Sequence, residues 1–373
     1  MREEGTQMGI KEKGDKLYED IYDVVRRKSA ISRRISEFKK KVSGGTLTAD
    51  QQNAAKKFYA PYKTPNLVFH EFFTEKTGEF HENYIPIDLY VGYIDPYFNN
   101  IKEAKYVDNK CYFGALFHSI PQPTILAKRV NGMWMTEDNK VIPFEDIESI
   151  IVAEDGVFFK EAQTSAGGHG VTFISRSNNM LAEVKKVADA TPTDVLIQRR
   201  IIQHDRMAAI NPSSVNTLRV YSVLGTDGSV TNYSTVLRTG VGEIKVDNYA
   251  SGGLSVGVSA DGKLKKYGYN KKGERVEKHP TTGLVFDGYE IPSFDKVIKL
   301  VQKAHPMVPH FRSVSWDVAV TADGSPILIE GNLCRGGIDL LQLSNGPLYG
   351  KDTKKILDEV FGRKCGIVKK SAV

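Results

Sequence analysis

The stretch that decides the fold is Trp316–Asn332, which has the sequence WDVAVTADGSPILIEGN. An Ala-Asp-Gly-Ser turn separates two apolar segments, and this pattern predicts a β-hairpin. Each segment also carries a carboxylate at a position where a core strand is normally apolar. If Thr321 pairs with Pro326 across the turn, antiparallel register places Asp317 opposite Glu330, with their Cβ atoms about 5 Å apart.

The same hairpin predicts a metal site. Alternation along the strand brings Asn332 to the face that carries Asp317 and Glu330. Opposed like charges repel, and a half-buried carboxylate needs a partner, so a cation is expected between the two acids. Mg2+ suits carboxylate and amide oxygens and completes its shell with water and phosphates. Removing either acid should then leave the fold intact or slightly stabilised, because a repulsion is lost.

The alternative for this hairpin is a surface position in which the acids face water. In that case Trp316 would lie beside them in solvent. The predicted register assigns four aliphatic residues to the buried face, namely Val318, Val320, Ile327 and Ile329.

A second hairpin is predicted upstream, from Val157–Lys160 and Val171–Ile174. The connection contains Ser165, Gly167, Gly168 and Gly170. These glycines allow backbone N–H groups to turn toward an anion, the serine adds a hydroxyl donor, and Lys160 supplies a point charge for phosphate. A strand follows the glycines, and no Gly-Lys-Ser/Thr closes the loop, which excludes the Rossmann and Walker patterns. By itself, such a segment can equally be an ordinary turn.

Together these two hairpins resemble the ATP-grasp superfamily. Three further motifs resemble, more narrowly, the sugar-transfer-associated ATP-grasp proteins: NPSSVNTLR at 211–219, DNYASGG at 247–253 and HPTTG at 279–283. The likeness runs from about Tyr84 to Asn345, and Asp108-Asn-Lys110 also fits it. The resemblance implies an α+β ATP-grasp fold with a small lid domain, a larger antiparallel-sheet domain and a helical N-terminal region.

The resemblance and the local patterns together predict four regions of the chain. Residues 1–65 form the helical N-terminal region, 66–124 a cap that precedes the ATP-grasp domains, 125–198 the lid subdomain and 199–373 the C-terminal subdomain. Apolar residues at helical spacing predict an amphipathic helix from Leu17 to Phe38, and Thr48 with Gln51 predicts a capping box. The aromatic segment 66–106 predicts a small irregular sheet or cap. Helices are also predicted at 177–190 and 293–305, the second capped by Ser293.

The resemblance implies a nucleotide site. Lys128 and Lys160 would hold the phosphates, although Lys128 can equally lie on a solvated strand edge. The backbone of a hinge would pair with adenine, and the predicted hinge residues are Gln198, Arg199 and Ile201. An acid is more usual at position 198, and a proline at position 161, where this chain has glutamate. The ribose contact is left open among Gln203, His204 and Asp205, and His204 is included in the predicted site.

The resemblance also implies the groups that face the reacting atoms. Arg219 and Arg238, with Lys160, correspond to residues beside the transferring phosphoryl group, where a planar guanidinium can stabilise charge on its oxygens. The predicted metal ligands are Asp317, Glu330 and Asn332. Asn248, Gly252, Gly253 and His279 would face the acceptor substrate. The role of His279 is open, because a lone histidine before proline is as often structural as catalytic.

Composition agrees with an enzyme of this kind. The chain has 373 residues, 40% of them hydrophobic, and a formal net charge of +6 from 51 basic and 45 acidic residues. Its three cysteines have neither disulfide nor metal-ligand spacing. No signal peptide and no apolar run of about 20 residues is present, so a cytoplasmic protein without a transmembrane segment is expected. We expect no nucleic-acid partner, and the oligomeric state stays open.

The function expected from the resemblance is an ATP- and Mg2+-dependent ligase. It would activate a carboxylate as an acyl phosphate for capture by an amine, in polysaccharide, peptide or natural-product biosynthesis. The alternative is an ATP-grasp kinase that phosphorylates a sugar or polyol hydroxyl, with His279 or Asp247 as the base. A nucleotide-binding module without turnover is disfavoured, because the metal ligands and Lys160 are all present.

Overall fold

The chain divides into two units, one formed by Met1–Tyr97 with Lys354–Val373 and the other by Phe98–Thr353. The computed structural model describes residues 25, 27–107, 109–163, 170–177, 179–242 and 252–362. The domain boundaries expected from the sequence stay a prediction.

The described part of the first unit is helical. Aromatic side chains from its helices form a buried cluster in which Phe38 packs edge-on against Phe69 and Phe72. Thr48 and Gln51 form the predicted capping box. The predicted amphipathic helix is present over 27–39, while its earlier apolar positions lie outside the described residues. The helices are 27–39, Ala49–Tyr59, Val68–Thr77, Ile87–Leu89, a π-turn at Tyr90–Ile94, Asp95–Phe98 at the junction with the second unit, and Thr353–Phe361.

Of the two alternatives for the aromatic segment 66–106, the irregular sheet is wrong, because this segment is helical, and the cap stays a prediction. Its aromatic residues lie at helical spacing and face inward, so Phe69, Phe72 and Phe73 are all buried. Aromatic and β-branched residues favour strands only weakly, and packing against neighbouring helices overrides that preference.

The second unit begins with a five-stranded antiparallel sheet in the order β2-β1-β5-β3-β4. One face packs on the helices Ile147–Ile151 and Met180–Ala190 through a core that includes Val157, Phe159 and Ile197. This sheet contains the predicted glycine-rich hairpin, in which Lys160 pairs with Val171. Its strands are β1 (Ile125–Val130), β2 (Met133–Met135), β3 (Gly156–Glu161), β4 (Val171–Ser175) and β5 (Val195–Arg199).

A seven-stranded sheet forms the rest of this unit, in the order β10-β9-β8-β7-β6-β11-β12, and every pairing in it is antiparallel. Its strands are β6 (Thr217–Leu224), β7 (Val230–Thr239), β8 (Leu254–Val258), β9 (Leu264–Tyr269), β10 (Arg275–Val276), β11 (Ser313–Val320) and β12 (Pro326–Asn332). The remaining helices of the unit are Ile101–Val107, Lys110–Leu116, Asp205–Ala208, Phe294–Ala304 and Ile338–Asn345.

The two faces of the large sheet differ in chemistry. One face packs on Phe294–Ala304 and is lined by Leu218, Val220, Val318 and other aliphatic residues. The other face carries a row of polar side chains. Ser293 precedes Phe294–Ala304 as predicted, but it has φ 52° and its side chain makes no capping hydrogen bond, so the predicted cap is wrong.

Trp316 lies on the apolar face and is fully buried. Its indole Nε1 donates to Ser222 Oγ at 2.9 Å, and the same hydroxyl lies 2.7 Å from His305 Nδ1. His305 Nε2 lies 2.9 Å from the Phe311 carbonyl oxygen. The surface alternative for the hairpin is therefore wrong. Among the described helices, none combines the length and apolar character needed to cross a membrane.

Acid should weaken the fold through His305. Burial lowers its pKa to about 4, from an ordinary value of 6.5. Between these two values the unfolded chain binds a proton that the folded chain does not, so the free energy of unfolding falls as the pH falls. In urea denaturation at several pH values, His305→Gln should show a shallower decline than wild type. The same change at exposed His118 should keep the wild-type slope, and an unchanged slope in His305→Gln would contradict this account.

Candidate active site

The two carboxylates of the C-terminal hairpin face each other as predicted, since Asp317 and Glu330 are register partners. The strand register that produces this pairing differs from the predicted register. Val320, not Thr321, pairs with Pro326, and the register shifts by one residue between Val318 and Asp317. Ile329 is the extra residue of this β-bulge, so the pairing is correct although the predicted turn register is wrong.

The bulge also changes which aliphatic residue of β12 is buried. Leu328 pairs with Val318 and is fully buried, whereas Ile327 and Ile329 are only partly buried. The predicted burial of Ile327 and Ile329 is therefore wrong. A simple alternation would place Leu328 and Glu330 on the same face, but a bulge between them reverses the alternation.

A transverse row of four register partners crosses the polar face: Val236, Arg219, Asp317 and Glu330. Asp317 is 3% exposed. Arg219 donates from Nε to Asp317 Oδ1 at 2.8 Å and from Nη2 to Oδ2 at 2.7 Å. Arg238 Nη1 donates to the same Oδ2 at 2.8 Å. The positive charge that the sequence predicts beside Asp317 is therefore supplied in this structure by two arginines.

Opposing effects act on the pKa of Asp317. Burial raises the pKa, whereas the charges of Arg219 and Arg238 and the hydrogen bonds of Arg219 and Asn332 lower it, and the net result lies below the ordinary value of 3.8. Asn332 Nδ2 donates to Asp317 Oδ2 at 3.4 Å and to the Ser315 carbonyl oxygen at 3.1 Å. Asn332 thus shares the face of the two acids, as predicted.

Glu330 has a different partner, Lys110, whose Nζ lies 3.6 Å from Oε1. Lys110 begins the helix Lys110–Leu116, and its backbone N–H donates to the Ala162 carbonyl oxygen at 3.0 Å. Ala162 directly follows strand β3, so Lys110 lies between the glycine-rich hairpin and the carboxylates. Lys110 belongs to the Asp108-Asn-Lys110 segment that fits the resemblance, but no role was predicted for it. The Asn-Lys pair was the available signal, because Asn109 Oδ1 caps the helix through Cys111 N.

The two predicted phosphate lysines lie on different strands. Lys160 is half-buried on β3, next to the turn. Lys128 is 5% exposed, and its ammonium donates to the Glu137 carbonyl oxygen at 3.0 Å. Gly170 has φ 78°, and an added Cβ would lie 2.8 Å from Glu161 Cδ. The predicted contacts of Ser165, Gly167 and Gly168 lie outside the described residues.

The predicted hinge follows strand β5. Arg199 makes a forked ion pair with Glu154, with Nε and Nη2 at 2.9 and 2.8 Å from Oε1. Gln198 lies within β5, and its Oε1 is buried and accepts no hydrogen bond from any described group. Ile201 is partly buried. After the hinge, His204 N donates to the Val320 carbonyl oxygen, which ties this segment to the C-terminal hairpin.

Residues of the NPSSVNTLR motif hydrogen-bond the side chain of Gln203. Its amide nitrogen donates to the carbonyl oxygens of Asn211 and Ser214 at 3.1 and 2.8 Å. Its Oε1 accepts from the backbone and side-chain nitrogens of Asn216, both at 3.0 Å. Because every polar atom of the side chain is engaged, Gln203 is the weakest of the three ribose candidates. The motif forms a buried turn that holds the segment after the hinge.

His279 contacts backbone on both sides of its ring. Nε2 lies 2.8 Å from the Gly240 carbonyl oxygen, and Nδ1 accepts from Thr281 N at 3.3 Å. Burial lowers the pKa of His279, although its contact with Gly240 opposes that effect. A neutral ring with Nε2–H as the donor fits both contacts. Gly252, with φ 102°, and Gly253 precede β8. Asn248 lies outside the described residues, so all four acceptor contacts stay predictions.

The donor set fits a magnesium ion only in part. The described residues contain no group of three or more His, Cys, Asp or Glu side chains that could hold a metal ion. Asp317, Glu330 and Asn332 offer two carboxylates and one amide on neighbouring positions. Mg2+ commonly binds through one or two carboxylates and takes its other ligands from water and substrate phosphates. These residues therefore suit Mg2+ when a nucleotide supplies the remaining oxygens.

Several solved structures are similar to this one. D-alanine–D-alanine ligase from Bacillus anthracis has a TM-score of 0.39 and 11% identity, covering 68% of this chain and 66% of that chain. Biotin carboxylase from Campylobacter jejuni has a TM-score of 0.44 and 10% identity, covering 70% and 48%. The ADP complex of an N5-carboxyaminoimidazole ribonucleotide synthetase has a TM-score of 0.38 and 11% identity, covering 61% and 45%. This chain thus spans less than half the length of the last two.

The sequence itself matches one family. No curated protein matches it. The model of the sugar-transfer associated ATP-grasp family matches residues 91–357, which include both hairpins, the hinge and the row of charged side chains. The α+β architecture, with its five- and seven-stranded antiparallel sheets, agrees with that match. The chain belongs to the sugar-transfer associated ATP-grasp family.

Proposed function

We propose that this protein is an ATP- and Mg2+-dependent ligase that activates a carboxylate as an acyl phosphate and transfers the acyl group to an amine. The observation that carries the proposal is the charged row on the large sheet. Asp317 and Glu330 are register partners there, and Arg219 and Arg238 lie beside them. In an ATP-grasp protein this arrangement supports phosphoryl transfer from ATP, because it combines metal ligands with the two guanidinium groups of Arg219 and Arg238.

Each charged or amide side chain around Asp317 has a proposed task. Asp317, Glu330 and Asn332 would hold Mg2+, which when bound neutralises charge on the nucleotide phosphates. Arg219 and Arg238 would orient the transferring phosphoryl group, since planar guanidinium forks match its oxygens. The same forks can hold a substrate carboxylate in bidentate fashion beside the phosphate. These contacts favour attack by a carboxylate oxygen.

Lys160 and Lys110 are our proposed phosphate lysines. Lys160 lies at the end of the glycine-rich hairpin, and Lys110 lies 3.6 Å from Glu330. Lys110 is a better candidate than Lys128, because the Lys128 ammonium is buried and donates to a backbone carbonyl. The alternative for Lys128 is a structural role, in which it holds the β1–β2 hairpin against residue 137.

The nucleoside would bind at the hinge. The backbone from Gln198 to Ile201 would pair with adenine, and His204 is the proposed ribose contact, since every polar atom of the Gln203 side chain is engaged. The acceptor would lie near Asn248, Gly252 and Gly253, with His279 shaping the approach. Cytoplasmic polysaccharide, peptide or natural-product biosynthesis is the proposed setting.

Hydroxylamine tests the proposal directly. An acyl phosphate reacts with hydroxylamine to give a hydroxamate, whereas a phosphate ester does not. The protein with MgATP, a pool of carboxylic acids and hydroxylamine should accumulate hydroxamate in step with ADP. The chromogenic iron–hydroxamate complex and a coupled ADP assay measure the two products.

The opposite outcome identifies the rival activity. Stoichiometric phosphate ester from a sugar or polyol, with no hydroxamate from any acid that stimulates ADP release, would assign a kinase instead. Binding of a non-hydrolysable ATP analogue without any product would leave only a nucleotide-binding role.

A further inference from the structure

The carboxylate of Asp317 is unusually crowded with donors. Its Oδ2 accepts from Arg219 Nη2 at 2.7 Å, from Arg238 Nη1 at 2.8 Å and from Asn332 Nδ2 at 3.4 Å, and its Oδ1 accepts from Arg219 Nε at 2.8 Å. A carboxylate oxygen offers about two lone-pair sites. Oδ2 therefore has no free lone pair for a metal ion in this arrangement, and the lone pair left on Oδ1 lies beside the Arg219 guanidinium that already donates to that oxygen.

Little solvent separates these charges. The side chains of Asp317, Arg219 and Arg238 are 4%, 12% and 11% exposed. A divalent cation that approached Asp317 would meet two guanidinium groups in a poorly screened environment, and it would have to displace at least one of them. Glu330 also has a cation nearby, because Lys110 Nζ lies 3.6 Å from it.

Arg219 and Arg238, here called the Arg219–Arg238 clamp, can nevertheless exchange Asp317 for another anionic partner. A guanidinium fork binds a phosphate in the same bidentate geometry as a carboxylate. If nucleotide phosphates reach this face, Arg219 and Arg238 can rotate toward the phosphate oxygens, and the lone pairs of Asp317 become available. In this exchange the phosphate replaces Asp317 as the partner of the arginines, and the metal ion would replace the arginines as the partner of Asp317.

We infer that the Arg219–Arg238 clamp prevents free divalent cations from binding at Asp317, and that the metal site forms only when an anionic phosphate ligand takes over the arginines. This inference rests on the proposed function, in that the anion is the nucleotide. Arg219 and Arg238 are thus positioning residues for Asp317 in the free protein as well as contacts of the phosphates. Metal and nucleotide must then raise each other's affinity by the same factor.

Manganese binding tests the clamp without any turnover. Mn2+ replaces Mg2+, the free ion is counted by electron paramagnetic resonance, and the Mn2+ bound by the analogue alone is subtracted. Wild-type protein should bind Mn2+ at least about tenfold more tightly with a non-hydrolysable ATP analogue than without it, within the usual 5- to 150-fold range of coupling between sites. Equal Mn2+ affinity in both conditions would overturn the inference.

Arg238→Gln gives the sharper result. The variant removes one donor from Asp317 Oδ2 while Arg219 keeps the carboxylate paired. Its Mn2+ affinity without nucleotide should rise by about threefold or more, while its affinity for the analogue falls. A merely structural role for Arg238 would lower both affinities. An unchanged or lower Mn2+ affinity in the free variant would overturn the inference.

Two further variants control the experiment. Arg275→Gln removes the same charge from exposed strand β10 and should leave both affinities at wild-type values. Arg238→Lys keeps the charge but loses the planar fork, so it should raise the Mn2+ affinity less than Arg238→Gln does, and it decides the question if the glutamine variant fails to fold. If wild type binds no analogue, the proposed function fails, whereas the Mn2+ affinities of the free proteins still decide whether the clamp operates.

Discussion

Asp317→Asn should abolish ATP turnover and also destabilise the protein. The activity should fall by about 10²–10³-fold or more, the usual loss when one preorganised electrostatic contact is removed from a reacting group. The second effect reverses the expectation from the sequence, which treated Asp317 only as a charge repelled by Glu330. Asp317 instead compensates two mostly buried arginines. Removing one partner of such a cluster costs about 3 kcal/mol.

Two measurements check this prediction. ADP release with the acid pool gives the activity, and urea denaturation at pH 7 gives the free energy of unfolding. Asp287→Asn is the matched control, since it makes the same substitution at an exposed position. The depressed pKa of Asp317 adds a pH test, because stability from a low folded pKa is lost as the pH falls. The difference between wild type and Asp317→Asn should shrink below about pH 4. A fully stable, fully active variant would refute the assigned site.

Glu330→Gln should abolish turnover and leave the stability almost unchanged. Glu330 is 32% exposed, and its cation, Lys110, lies at 3.6 Å. Because its two charged groups lie 3.6 Å apart and are partly exposed, this pair contributes about 0–1 kcal/mol to stability. Turnover should still fall by about 10²–10³-fold, because the carboxylate is one of only two charged metal ligands proposed for the site.

The contrast between the two acids is the informative result. Glu145→Gln, at an exposed position between strands β2 and β3, should keep both activity and stability at wild-type values. If Glu330→Gln lost as much stability as Asp317→Asn, the two acids would share one buried network, and the different partners seen here would not describe the protein in solution. Normal turnover in Glu330→Gln would remove Glu330 from the metal site.

Local patterns predicted part of the secondary structure correctly, including the helices Met180–Ala190 and Phe294–Ala304. The C-terminal hairpin and the glycine-rich hairpin are both present, and the capping box at Thr48 is formed. These features depend on alternation and capping, which involve neighbouring residues in the chain. The prediction of an irregular sheet in segment 66–106 was wrong, because the helices there depend on packing partners that a short window does not contain.

The candidate site was less predictable, because its contacts join distant parts of the chain. The clamp on Asp317 joins residues 98 and 79 positions apart in sequence. Lys110 reaches Glu330 from the start of the helix Lys110–Leu116, and no local pattern indicates that contact. The sequence predicted that a cation would stand beside the acids, but charge alone does not distinguish a metal ion from an arginine.

The bulge at Ile329 has a consequence for recognising related chains. Strand β12 uses one more residue than β11 between the turn and the paired carboxylates. A chain without that extra residue would bring its glutamate to the same partner through an unbroken ladder. A search pattern with a fixed interval between the Asp-Gly turn and the glutamate would reject such a chain, although the two would share the same pair of acids. The interval should therefore be allowed to vary by one.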